Sequence, residues 1–125
     1  MNYQHKELAA GRWFKLTFFE QMANVGSEVG RAIIWKNKND EYRIKALERA
    51  LELLDLTIAD VRNKARLKEL TRLREVLVDH FYFDNRYCSS DGSWRNYFNA
   101  FGYAANLKKN VVKFNLGTEG KNAVG

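Results

Sequence analysis

The sequence predicts an all-α fold: an antiparallel up-down-up-down four-helix bundle with a short irregular C-terminal tail. Three observations point there. Proline is absent from the 125 residues, where average usage would place roughly six. Apolar residues recur at three- and four-residue steps through most of the chain. The polar breaks between those stretches are short, which makes consecutive helices antiparallel neighbours. A chain of this length forms one domain and buries a core without disulfide or metal. The bundle is assigned to residues 1–109 and the tail, partly extended or flexible, to 110–125.

The first helix is expected over 13–36, with Phe14, Phe18, Met22, Val25, Val29 and Ile33 on one face. Gly26 and Gly30 share a side of it, at about 1 kcal/mol each in a helix interior, so another helix is expected to come close there. Asn39 and Asp40 carry the cap chemistry that opens a second helix over 40–61. Its seam is Ile44, Leu47, Leu51, Leu54, Ile58 and Val61, a heptad pattern widened by Ala50, Leu53 and Thr57. The third helix is expected over 64–84 with Leu67, Leu70, Leu73, Leu77 and Phe81 inward. After a break at Asp84–Ser89, Ser90 or Asp91 caps a fourth helix over 92–108, whose apolar face is Trp94, Tyr97, Phe98, Phe101, Ala104 and Ala105. The alternation of Val112, Phe114 and Leu116 fits a brief extended piece.

Lys and Arg total 21 against 15 acids, a net charge of +6. That balance speaks to polyanion binding rather than to fold. A single cysteine, Cys88, excludes an internal disulfide and indicates a reducing compartment. There is no apolar signal core at the start and no apolar run approaching the ~20 residues that cross a bilayer. The expected location is cytoplasmic, without membrane contact.

The sharpest local feature is the junction at 61–74. The second helix has an acidic outer face, and six cations follow at once: Arg62, Lys64, Arg66, Lys68, Arg72 and Arg74, interrupted by Glu69 alone. Cations at a helix N-terminus oppose its dipole, so a polyanionic partner is the functional explanation and a solvated face the plain one. On a helix Lys64, Lys68 and Arg72 share a face, flanked by Arg62 and Arg66. Such a stripe tracks phosphates, and Arg95, Lys108 and Lys109 extend the candidate surface.

Eight Phe, six Tyr and three Trp concentrate at 81–87 and 94–103, more than one buried stripe absorbs. Surplus aromatics mark a subunit interface or a base-stacking surface. Glu28 with Arg31, Asp55, and Arg72 with Asp79 read as an interhelical salt-bridge network. With only His5 and His80 available, a di-metal bundle site fails, since it needs a Glu-x-x-His pair on each of two helices. No cofactor is expected. The Arg74-x5-His80 spacing is similar to that of HEPN ribonucleases, but six helical steps turn the two side chains about 120° apart, leaving catalysis the minor reading.

The run ALERALELLDLTIADVRNKARLKELTRLREVLVDHF, with chain length, four helices, short turns and basic charge, resembles a group of small four-helix-bundle proteins. They are encoded within intervening sequences of large-subunit ribosomal RNA, and their relatives include accessory variability determinants of diversity-generating retroelements. The resemblance covers about residues 13–108. It implies a nonenzymatic, ring-like homo-oligomer, typically a pentamer, with a basic surface. The retroelement relatives imply RNA and a reverse transcriptase as partners. The alternatives are a protein-interaction scaffold for an acidic partner and a HEPN-like ribonuclease using Arg74 and His80.

Overall fold

The computed structural model describes residues 11–117, with side chains through residue 107. Among the described residues every regular element is helical. Four α-helices form: α1 (Phe18–Trp35), α2 (Asp40–Ala59), α3 (Leu67–Tyr82) and α4 (Asp91–Gly117). Short 3-10 segments at Arg12–Lys15 and Val61–Arg66 precede α1 and α3. The helices pack as a four-helix bundle in which α1 lies against both α2 and α4, and α2 touches α3. No helix among the described residues is long and apolar enough to cross a membrane.

Helix α1 starts where Thr17 and Glu20 form a capping box, each side chain accepting from the other's backbone N–H at 3.1 and 2.9 Å. Its stripe of Met22, Val25, Val29 and Ile33 is buried as its spacing requires, while Phe14 belongs to the preceding 3-10 turn and Trp13 takes the core position beside it. Asn37 turns the chain at φ 64, a left-handed conformation that asparagine tolerates. Asn39 then caps α2 by accepting from the Tyr42 N–H.

The buried stripe of α2 is Ala46, Leu47, Ala50, Leu53, Leu54, Leu56 and Thr57. This corrects the expected heptad seam: Leu47 and Leu54 are core, but Ile44 is exposed and Val61 is 84% exposed. The flanking small and aliphatic positions face inward because α2 meets α1 over a broad face instead of a narrow seam. Helix α3 buries Leu70, Leu73 and Leu77, with Leu67 at the surface. Ser90 caps α4 reciprocally with Ser93, and Trp94 and Phe98 fill the core. A Cβ at Gly26 would stand 2.5 Å from the Phe98 Cβ, so this glycine admits α4, whereas Gly30 faces open space.

Helix α4 runs on to Gly117, so the extended piece expected at Val112–Leu116 is helical backbone instead. Between Gly102 and Gly117 the chain holds no glycine or proline, hence no stop signal. The rest of the expected tail, 118–125, lies outside the described residues.

Candidate nucleic-acid interface

The basic junction is built by a polar knot beneath it. Asp60, 4% exposed, accepts from the Arg62 backbone N–H at 2.9 Å, from the Arg62 guanidinium at 2.6 Å and from Gln21 Nε2 at 2.8 Å. Gln21 Nε2 also donates to the Trp13 carbonyl, and Asn63 Nδ2 donates to Gln21 Oε1 and to the Thr57 carbonyl. Trp13 Nε1 donates to Thr57 Oγ1. The Arg62 side chain, and behind it its N–H and Gln21, hold the Asp60 carboxyl at about 2 against the burial that opposes ionisation. Asp60 caps the segment after it by accepting the Arg62 N–H, so α2 stops at Ala59 and the chain turns as a 3-10 segment. Arg62, Lys64 and Arg66 therefore precede α3 instead of crowding its first turn, where Lys68 sits with Glu69.

The six cations divide by partner. Arg62 is committed to Asp60 and also donates to the Leu16 carbonyl at 2.7 Å. Arg74 donates to Asp55 of α2 at 2.7 Å. Arg66 instead lies 4.1 Å over the Phe18 ring, and Arg72 lies 4.8 Å over Tyr87. A ring face orients a guanidinium without cancelling its charge or using its N–H groups. Lys64 and Lys68 are exposed and hold no ion pair among the described residues. Among the described residues Lys64, Arg66, Lys68 and Arg72 thus form no ion pair, while Arg62 and Arg74 do.

A trough runs along the outer side of α3. Its first part, about 650 Å³, is lined by Ala65, Lys68, Glu69, Thr71, Arg72 and Glu75. The adjoining part, about 780 Å³, shares Thr71 and Glu75 and reaches Phe83, Arg86 and Tyr87. Its aromatic end depends on Asp79, which accepts from the Arg86 and Tyr87 N–H groups at 2.9 and 3.1 Å. Burial opposes that charge, but the two N–H groups outweigh it and keep the carboxyl below its ordinary value. Asn85 and Cys88 take left-handed φ values in the same loop, leaving Phe83 72% exposed. Tyr87 donates its hydroxyl to Glu75 at 3.0 Å, which pushes the phenol pKa up. A groove of about 360 Å³ between α3 and α4, bordered by Arg72, Trp94 and Tyr97, opens beside it.

Of the expected interhelical salt-bridge network the structure shows one cross-helix member, Asp55 of α2 with Arg74 of α3, and corrects the rest. Glu28 and Arg31 pair within α1. Arg72 and Asp79 serve Tyr87 and the loop backbone and do not pair with each other. Arg95 is exposed on α4 and lines none of the cavities above. Lys108 and Lys109 have backbone in α4, and their side chains lie outside the described residues. His80, with a side chain only 7% exposed, turns Nε2 to Asp91 at 3.1 Å, so it and Arg74 hold separate partners. Among the described residues no group of His, Cys, Asp and Glu is arranged to hold a metal ion.

Phe83 belongs to the aromatic surplus at 81–87 and is exposed, whereas Thr71 carries no signal in the sequence. Comparison with protein-family models, with curated proteins and with solved structures finds no match.

Proposed function

We propose that this protein is a nonenzymatic, homo-oligomeric helical bundle that binds single-stranded RNA along the α3 trough. The observation that supports the reading is that cations without an ion pair, Lys68 and Arg72, and exposed rings, Phe83 and Tyr87, line adjoining concave parts of the α3 surface, with Arg72 itself lying on the Tyr87 ring. Cations hold the phosphates and rings stack unpaired bases, worth about 1–3 kcal/mol per base. In this reading the helices alternate up and down. Lys36 at the end of α1 pairs with Asp91 at the start of α4, and Phe18 at the start of α1 meets Phe101, which supports that arrangement. Tyr103 and Leu107, one turn apart on α4 and at least half exposed, support a subunit interface. The resemblance described above adds a pentameric ring and a reverse-transcriptase partner to the proposal.

Four cations neutralising phosphates of a single strand give a salt slope of about −2.8, roughly a 50-fold loss of affinity between 50 and 200 mM salt. Labelled oligoribonucleotide should be titrated at both salts with wild type, Lys64→Glu/Lys68→Glu and Phe83→Ala. The double reversal should weaken binding and halve the slope, and Phe83→Ala should weaken it about tenfold or more at unchanged slope. Salt-insensitive binding, or equal affinities for all three proteins, refutes the reading. Light scattering tests the ring, since five copies of a 14.6 kDa chain weigh roughly 73 kDa. A monomer mass removes the oligomer and leaves the RNA surface standing.

A further inference from the structure

A second cavity, remote in sequence from the basic junction, lies where the last turns of α1 meet the first half of α2. It encloses about 280 Å³ and is lined by Arg31 and Trp35 of α1 and by Tyr42, Lys45, Ala46 and Arg49 of α2. Three of its six lining residues are cations, two are aromatic, and none is a carboxylate. The local spacing explains the convergence. Arg31 and Trp35 are one turn apart on α1, as are Lys45 and Arg49 on α2, with Tyr42 one turn earlier. The sharp turn through Asn37 brings the two rows face to face.

The cavity is held open by its own walls. The Trp35 and Tyr42 rings meet edge to face with centroids 4.9 Å apart, so each restrains the other. Ala46, buried at the floor, supplies only a methyl group. Arg31 is oriented from behind by Glu28 at 2.7 Å through a single nitrogen, which leaves the rest of its fork available. Lys45 is only 4.0 Å from Glu41 and its side chain is 58% exposed. Both carboxylates stand outside the lining. Arg31 and Lys45 each have a carboxylate neighbour and Arg49 has an interaction of its own, and the three cations still converge on one concave, partly apolar site, where they focus a positive potential that an anion can meet.

We propose that this cavity is a nucleoside-phosphate site, with the phosphate among Arg31, Lys45 and Arg49 and the base against Tyr42 and Trp35. Guanidinium forks match phosphate oxygens in geometry. The volume lies at the lower edge of small-molecule pockets, so it takes the phosphate and part of the sugar and leaves the base at the mouth, on the half-exposed ring of Tyr42. The same chemistry is presented by a free mononucleotide and by the terminal nucleotide of a strand. The site shares no residue with the α3 trough and stands or falls separately from it.

The test is a titration of the full-length protein with adenosine monophosphate, inorganic phosphate and adenosine, read by calorimetry. Wild type should bind the monophosphate at least tenfold more tightly than either fragment. Lys45→Gln, at an exposed position where far-UV circular dichroism confirms folding, should weaken monophosphate binding about tenfold. Tyr42→Ala should weaken the monophosphate and leave inorganic phosphate unchanged. The Lys64→Glu/Lys68→Glu protein should bind the monophosphate like wild type, whatever becomes of its RNA affinity. A 5′-phosphorylated oligoribonucleotide that outbinds its unphosphorylated form, with the gain lost in Lys45→Gln, assigns the site to strand ends. Equal binding of the two oligonucleotides beside tight monophosphate binding assigns it to the free nucleotide. No monophosphate binding at ~10 mM, no effect of Lys45→Gln, or displacement by an acidic peptide in preference to the nucleotide overturns the proposal.

Discussion

Replacing Asp60 with asparagine tests the polar knot and the origin of the basic junction together. The Asp60 carboxyl sits at about 2 against 3.8 for the free group, which at 1.36 kcal/mol per unit amounts to roughly 2.5 kcal/mol of charge-dependent stability. The Arg62 side chain is 49% exposed, and solvent screening lowers that figure to about 1–2 kcal/mol. Asparagine also turns an amide toward the buried Gln21 Nε2, whose lost acceptor costs about 1–3 kcal/mol more. The expected total is near 3 kcal/mol, or a fall in Tm of about 12 °C for a domain of this size. The sign with pH follows from the depressed folded value. The carboxylate's contribution is complete above 3.8 and is lost as pH falls toward 2, so wild type and Asp60→Asn should converge over that window. Thermal melts by circular dichroism at pH 7, 5, 3.5 and 2 measure it. A gap under about 3 °C at pH 7, or one unchanged from pH 5 to pH 2, refutes the reasoning.

Three further outcomes follow from the packing. Gly26→Ala places a methyl against the Phe98 Cβ and should destabilise by about 1–3 kcal/mol, whereas Gly30→Ala, in open space, should stabilise by about 0.5–1 kcal/mol; melts that move both variants the same way contradict the α1–α4 fit. Asp79→Ala strips the Arg86 and Tyr87 N–H groups of their acceptor and should cost about 2 kcal/mol, with faster amide exchange at those two residues than in α2; unchanged exchange there shows that the loop is held by other means. Trp13→Phe removes the donor to Thr57 and should cost about 1–2 kcal/mol in urea unfolding, so an unchanged midpoint shows the indole N–H to be dispensable.

The sequence announced helices more clearly than it announced which face of each turns inward. Leu47, Leu54, Leu70, Leu73, Leu77, Trp94 and Phe98 are core, because large apolar side chains at three- and four-residue steps have one place to go. The α2 seam departs from its expected line at Ile44 because the small residues Ala46 and Ala50 let α1 come close on the neighbouring stripe, and at Val61 because the helix has already ended at Ala59. The end of α2 at Ala59 is nearly legible from Asp60, a residue suited to capping and close to its partner Arg62, but its capture by Gln21 is tertiary. Arg62 reads in the sequence as an exposed phosphate contact, but its guanidinium is held by its near neighbour Asp60 and by the distant Leu16 carbonyl. The cations of α1 and α2 escaped notice because three charges spread over nineteen residues resemble an ordinary solvated surface until a turn gathers them.

The polar knot also sets an order of events during synthesis. Arg62 reaches the Leu16 carbonyl across 46 residues of chain, and Asn63 reaches Gln21 across 42. A ribosome adding about 5–20 residues per second emits Leu16 some 2–9 seconds before Arg62. For that interval the polar cover over Trp13, 1% exposed in the finished protein, is incomplete, and while α2 emerges the side of α1 that meets α4 stays open. The arrival of residues 60–63 completes the knot around Trp13, and the apolar face of α1 closes only later, when α4 brings Phe98 onto Gly26.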